Sequence, residues 1–303
     1  MKGKKTKILE IGSNDGFLGT IAKERNFHYI GVDASSHMVT LAKKNNIETL
    51  HGLFGKEIRN KLKDRFNSFE IIIANNVLNH SDNLIEFINS VEKLLTNSGT
   101  FVFEVPYWLI DFQNNSFDKI YHEHVSYFTF KSLKKLLRNS NLHIVDFEIV
   151  KYHGGSLRVY AGRLEQKEIN LDKTISNEIN TGVFKKQNYV YFMKSIIERR
   201  NKFLRKVYEL KLKGDKIISI GAAARGNTIL NFYKLDSSII DYVTDVSPFK
   251  LSKYTPLSRI KIVEDKIFSE YNKVYAISLT NNINEKVKDI LNTYNKHIVY
   301  INP

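Results

Sequence analysis

One short phrase occurs twice in this chain: an apolar strand, a glycine-bearing turn, and then a helix. The first copy is Lys7-Ile8-Leu9-Glu10-Ile11-Gly12-Ser13-Asn14-Asp15-Gly16, leading into a helix from Phe17. The second is Lys216-Ile217-Ile218-Ser219-Ile220-Gly221-Ala222-Ala223-Ala224-Arg225-Gly226-Asn227, leading into a helix near Thr228. A strand that ends on glycine and turns at once into a helix opens a βαβ crossover, and an open, mainly parallel sheet accommodates it. Alternating strand and helix patterns follow each copy. Strands are predicted over 28–32, 70–74 and 100–106 after the first, and over 239–243, 273–279 and 297–301 after the second. The expected fold class is α/β, with two Rossmann-like doubly wound units. The two copies are too dissimilar to count as an internal repeat.

Between them lies a stretch that is not βαβ. Residues 117–127 are aromatic and polar, and 130–139 reads as a short amphipathic helix. Residues 142–151 and 156–163 read as two antiparallel strands joined through His153-Gly154-Gly155. A long helical period then runs over 185–211, with Phe192, Ile196, Phe203, Val207 and Leu210 on one face, and ends in a cation-rich turn before Gly214. The 303 residues suit about two domains. The expected boundaries are 1–165 for the first, 166–212 for a linker and connecting helix, and 213–303 for the second.

Composition removes several kinds of chemistry. With no cysteine, a disulfide scaffold, a Cys-ligated zinc site, an iron–sulfur cluster and a thiol nucleophile are excluded. The net charge of +14 comes from Lys and Arg scattered over the chain, without the localised basic arm that would grip phosphate backbones, so no nucleic-acid partner is expected. No apolar run approaches the ~20 residues of a membrane span, and the basic start leads into a strand containing Glu10. The expected location is the cytoplasm, with no membrane association.

The first turn, Glu10-x-Gly12-x-x-x-Gly16, departs from the G-x-G-x-x-G of dinucleotide sites in spacing and start. Its glycines let the backbone approach an adenosine-bearing ligand, and Glu10 is placed to accept from an ammonium or a loop amide. Seventeen residues after Gly16, Ile30-Gly31-Val32-Asp33 ends in an acid suited to both hydroxyls of a ribose. With Asn75-Asn76 ending a later strand, this set fits S-adenosylmethionine better than NAD. The candidate cofactor residues are Glu10, Gly12, Asn14, Asp15, Gly16, Asp33, Asn75 and Asn76.

Tyr121-His122-Glu123-His124 follows the strand over 100–106, in the region where open α/β sheets bind ligands. In an extended chain Tyr121 and Glu123 face one way and the histidines the other, whereas a loop could converge Tyr121, Glu123 and His124. A histidine is readily poised as a base near neutral pH, and a carboxylate beside it orients it. The same residue types could instead supply metal ligands or form a hydrogen-bonded aromatic loop. No metal is expected, because adjacent positions rarely wrap one ion without a further ligand. Asn79-His80-Ser81-Asp82 reads as the cap of a helix from Asn83.

These segments, with Phe103-Glu104-Val105-Pro106-Tyr107, Gly154-Gly155-Ser156-Leu157-Arg158-Val159-Tyr160 and Gly221–Thr228, resemble the nucleotide-sugar C-methyltransferases. The resemblance spans nearly the whole chain and keeps the order of every motif. It implies a class I S-adenosylmethionine methyltransferase unit followed by a Rossmann-like unit that holds the nucleotide sugar. It implies that Tyr121, Glu123 and His124 are catalytic, with His124 the general base, in C-methylation of a nucleotide-linked keto-deoxysugar. Substrate contacts are then expected at Gly154, Ser156, Arg158, Gly221, Ala223, Arg225, Gly226, Asn227, Asp245 and Lys250, with Arg225 and Lys250 facing the diphosphate.

The family usually begins with a Cys-rich zinc-binding domain. This chain opens at the methyltransferase strand and has no cysteine, and a partner chain is one candidate source of that part. Alternatives are an O- or N-methyltransferase acting on another small molecule or RNA, an NAD-dependent enzyme, and a non-catalytic nucleotide-sugar-binding protein.

Overall fold

The computed structural model describes residues 5–151, 154–164, 170–279 and 285–303, so His153 of the expected turn lies outside the described residues. The chain forms two compact units: 1–111 with 123–184, and 112–122 with 185–303.

The first unit carries strands β1 (Lys7–Ile11), β2 (His28–Asp33), β3 (Thr49–His51), β4 (Phe69–Asn75), β5 (Leu95–Pro106), β6 (His143–Val150) and β7 (Ser156–Gly162). They form one sheet in the order β3-β2-β1-β4-β5-β7-β6. The first five run parallel, while β7 is antiparallel to both β5 and β6. The apolar runs of β1, β2 and β4 are the ones a parallel sheet buries on both faces. Leu9, Ile30 and Ile72 are fully buried.

The connecting helices are α1 (Phe17–Glu24), α2 (Ser36–Lys44), α3 (Lys56–Phe66), α4 (Leu84–Leu94), α5 (Trp108–Gln113), α6 (Phe130–Arg138) and α7 (Leu171–Asn180). Several start where polar side chains close the first turn. Ser35 accepts from the Met38 amide, Asn83 from the Glu86 amide, and Thr129 and Ser132 form a reciprocal capping box. Helix α6 has a second cap from far along the chain. The fully buried carboxylate of Glu178 accepts from the amides of Phe130 (2.6 Å) and Lys131 (3.1 Å) and from the Tyr107 hydroxyl (3.0 Å). Burial and the neighbouring Glu178 charge push the Tyr107 phenol above its ordinary range.

The second unit is a wholly parallel sheet in the order β10-β9-β8-β11-β12. Its strands are β8 (Ile217–Ile220), β9 (Tyr242–Thr244), β10 (Ile262–Val263), β11 (Val274–Ser278) and β12 (Ile298–Ile301), with helices α8 (Lys186–Leu212), α9 (Ala224–Tyr233) and α10 (Glu285–Tyr294). The face predicted for the long helix is the one α8 buries: Phe192, Ile196, Phe203, Val207 and Leu210.

Residues 112–122 group with this unit for visible reasons. Phe112 packs on Tyr189 and Phe192, and Phe117 on Phe232 and Tyr233. The Asn115 carbonyl accepts from Arg199 (2.7 Å), and Asp118, 2% exposed, takes Arg225 Nε at 2.7 Å. Two sequence-based bounds move. The segment over 239–243 yields only Tyr242–Thr244 as strand, because the Ile239 and Ile240 amides turn back onto the Asp236 carbonyl. Helix α9 begins at Ala224, a full turn before Thr228. Among the described residues, no helix is long and apolar enough to cross a membrane.

Candidate active site

The strand order of the first unit reverses between β1 and β4, and a ligand cavity belongs beyond the carboxyl ends of the strands at such a point. A cavity of about 840 Å³ lies there. All the expected cofactor residues except Gly16 line it: Glu10, Gly12, Asn14, Asp15, Asp33, Asn75 and Asn76. Gly16 is the N-cap of α1, and both Gly12 (φ 74°) and Gly16 (φ 82°) hold left-handed backbone. A Cβ at Gly12 would drive into Val77 Cγ2.

Asp33 ties the turn to the end of β2. Its Oδ2 accepts from the Asn14 amide (2.9 Å) and its Oδ1 from the Ser35 amide (2.8 Å), while the Gly12 amide donates to the Val32 carbonyl (2.8 Å). Each carboxylate oxygen has acceptor capacity left for a diol. Glu10 sits deeper, 8% exposed, and the Tyr29 hydroxyl donates to its Oε2. Burial pushes the Glu10 carboxyl up to about 7; the Tyr29 bond pulls it back, and Asp33 and Asp15 push it up further. Four carboxylates, Glu10, Asp15, Asp33 and Glu104, and one guanidinium, Arg158, line the cavity. That donor set fits S-adenosylmethionine, which brings a ribose diol, a sulfonium and an ammonium to an acidic wall.

Arg158 stands apart from the other expected substrate residues. It lies opposite Glu104 in the β5–β7 register, and its Nε donates to Glu104 Oε1 at 2.7 Å. Glu148 Oε2 lies 3.5 Å from its NH1. Ser156 is fully buried in β7, and Gly154 is exposed with open space where a Cβ would stand.

The Tyr-His-Glu-His segment is an irregular loop with a turn at His122–Glu123, so strand alternation does not order it. The division between the units falls inside it, with Tyr121 and His122 grouped in one and Glu123 and His124 in the other. Tyr121 and His124 are partly buried and Glu123 is exposed. Within the first unit the Asn79 carbonyl accepts from the Val125 (2.9 Å) and Ser126 (3.2 Å) amides. This places the His80 ring edge-on to His124, with centroids 5.1 Å apart. Sequence reasoning gave the stretch from Asn79 only a capping role. Asn83 does cap α4, but a histidine just after a central strand was the available signal for His80. Among the described residues no group of three His, Asp or Glu side chains is gathered to hold a metal ion.

In the second unit the Gly221 amide donates to Thr244 (2.8 Å), the Ala222 amide to Asp245 Oδ2 (2.9 Å) and the Ser247 amide to Asp245 Oδ1 (2.9 Å). The acceptors are the same as around Asp33, although the amide on Oδ2 comes one residue after Gly221 here and two residues after Gly12 there. A further difference is that Lys250 Nζ lies 3.0 Å from Asp245 Oδ2. Against the upward push of burial, the Ser247 amide, the Lys250 ammonium and the Ala222 amide hold the Asp245 carboxyl below its usual range. Helix α9 starts beside this acid, with Ala223 as its N-cap, no capping side chain and no acid in its first turn, an arrangement that suits an anion. Arg225 and Lys250, expected to face a diphosphate, each hold an aspartate: Asp118 and Asp245.

A seven-stranded sheet with a reversed seventh strand and an adenosine-type cavity at its switch point defines a methyltransferase-type α/β unit. Residues 2–146 match a methyltransferase domain family, and residues 151–301 match the C-methyltransferase C-terminal domain. Together the two matches span nearly the whole chain, in the order methyltransferase domain then C-methyltransferase C-terminal domain. C-methyltransferase NovU of Streptomyces niveus is 28% identical over 258 residues, 84% of this chain and 61% of the relative, so the chain spans about three fifths of that protein's length. Among solved structures, the Haloferax volcanii methyltransferase in complex with its Trm112 activator is 13% identical at a TM-score of 0.44, covering 55% of this chain and 86% of that one. The Synechocystis magnesium protoporphyrin IX methyltransferase with bound SAH is 13% identical at a TM-score of 0.42, covering 53% and 75%.

Proposed function

We propose that the protein is an S-adenosylmethionine-dependent C-methyltransferase acting on a nucleotide-linked keto-deoxysugar. The observation that carries this reading is the repeated construction at Asp33 and Asp245. Two glycine turns are each fastened to an acid at the end of the next strand, which suits two nucleoside-bearing ligands on one chain. The first takes the cofactor, with Asp33 on the ribose and the Gly12–Gly16 turn beneath it. The second takes the nucleotide sugar, with Gly221, Ala223, Gly226 and Asn227 at the start of α9 facing the diphosphate. Arg225 and Lys250, each paired with an aspartate, belong to the same unit as that helix start.

When bound, the cofactor supplies an electrophilic methyl group on its sulfonium. His124 removes the proton from the carbon beside the ketone, with its ring held by His80 and oriented by Glu123. Tyr121 donates to the ketone oxygen, where negative charge develops as the proton leaves. Methyl transfer to that carbon would break the sulfonium S–CH3 bond and leave S-adenosylhomocysteine, and orienting the sugar against the cofactor would supply much of the acceleration.

Incubation with S-adenosylmethionine and a panel of nucleotide 4-keto-sugars, followed by mass spectrometry for the gain of one methylene, tests this. Transfer to a hydroxyl or amine instead would replace the carbon chemistry, and binding of nucleotide sugars without cofactor would make the chain a binding protein. His124→Asn should leave cofactor affinity intact and lower transfer about 100-fold or more. It should also stop solvent-deuterium exchange at the acidic carbon; undiminished exchange removes His124 as the base.

A further inference from the structure

Among the described residues that line the cavity of the first unit are four carboxylates and one cation. Glu10, Asp15 and Asp33 lie on the loops and strands β1 and β2, while Glu104 and Arg158 lie on β5 and β7. Three strand spacings separate β2 from β5, roughly 14 Å at the usual inter-strand distance. Both ends lean inward, Asp33 toward the Asn14 amide of the β1 turn and Arg158 toward Glu104 on β5. An extended ligand anchored at Asp33 by its ribose therefore reaches the Glu104–Arg158 pair with its other end.

We infer that Arg158, paired with Glu104, is the receptor for the zwitterionic amino-acid end of the cofactor, rather than a contact to the nucleotide sugar. This rests on the cofactor reading above. A carboxylate entering this cavity is disfavoured beside Asp15 and Asp33, and the one cation among the described lining residues is Arg158. Arg158 is already fixed for the task. Nε and NH2 are on Glu104, and NH1 has Glu148 at 3.5 Å, which leaves some of the five guanidinium donors for an incoming carboxylate. The side chain of Arg158 remains 38% exposed while that of Glu104 is 10% exposed, so the cation is the accessible member of the pair. Glu104 then faces the ammonium, and the pair complements both charges of an α-amino acid.

Calorimetry separates this from a role in packing. Arg158→Gln should weaken S-adenosylmethionine and S-adenosylhomocysteine about 10- to 100-fold, the range of a charge-assisted hydrogen bond. 5′-Methylthioadenosine, which lacks the amino-acid end, should bind the variant and the parent protein alike. Unchanged S-adenosylmethionine affinity in the variant overturns the inference, and so does an equal loss of 5′-methylthioadenosine. The parent protein alone gives a second reading that holds even if the variant fails to fold. Decarboxylated S-adenosylmethionine should bind it at least 10-fold more weakly than S-adenosylmethionine, and equal affinity overturns the assignment. If the parent protein binds neither S-adenosylmethionine nor 5′-methylthioadenosine, the cofactor reading itself falls, which is a different result.

Discussion

Tyr29 donates its hydroxyl to Glu10, and this bond ties the second residue of β2 to the next-to-last residue of the adjacent strand β1. The pair has an electrostatic consequence. Burial raises the Glu10 carboxyl from 4.5 to about 7, so the folded protein holds that proton more tightly than the unfolded chain. The associated stability is complete below about pH 4.5 and is lost as pH rises through about 7. Glu10→Gln keeps an acceptor for Tyr29 and removes the charge. At pH 8 the ligand-free variant should be more stable than the parent by on the order of 2 kcal/mol, while binding S-adenosylmethionine more weakly. Thermal melts at pH 5 and pH 8 check this, because the gain should vanish at the lower pH.

The matching constructions at Asp33 and Asp245 should be separable by ligand. Asp33→Asn should weaken S-adenosylmethionine about 10-fold or more and leave nucleotide-diphosphate affinity alone. Asp245→Asn should do the reverse, with the added loss of the Lys250 ion pair. Titration of each variant with each ligand gives the four affinities needed.

Gly12→Ala forces a Cβ into Val77 Cγ2 on backbone at φ 74°. A destabilisation of about 1–3 kcal/mol is expected, with loss of cofactor binding as the turn shifts. Urea denaturation and calorimetry read the two effects. Cofactor affinity at the parent value would show that the turn tolerates the shift.

Glu178→Ala strands the buried Tyr107 hydroxyl and Phe130 amide and frees the part-buried Lys131 amide at the start of α6. A loss of about 3 kcal/mol is expected. Glu178→Gln should recover part of it, since one acceptor oxygen remains. Denaturant midpoints of the two variants give the ranking.

The parts legible in the sequence were those that a period or a glycine marks. The two turns, the β6–β7 pair and the buried face of α8 all stand where the residue pattern places them. Most of the expected cofactor residues meet in one cavity because Gly12, Asp33 and Asn75 stand at strand ends, and strand ends converge in a parallel sheet. What escaped was long-range pairing between residues that no period links. Asp118 and Arg225 are 107 positions apart. Glu178 lies in a polar, weakly periodic stretch yet supplies the buried cap of α6. Arg158 has the residue type of a phosphate ligand, and only the β5–β7 register shows that it faces Glu104.

The grouping of residues 112–122 with the second unit has a practical consequence for anyone dissecting this chain. The polypeptide leaves the first unit after Asp111, returns to it at Glu123 and leaves again after Phe184, so no single cut yields two whole pieces. A fragment begun at Lys185 would lack Phe117 and Asp118, baring Phe232 and Tyr233 and stranding Arg225 without its carboxylate. Separate expression of the halves therefore calls for a circular permutant or a grafted 112–122 peptide, not a truncation.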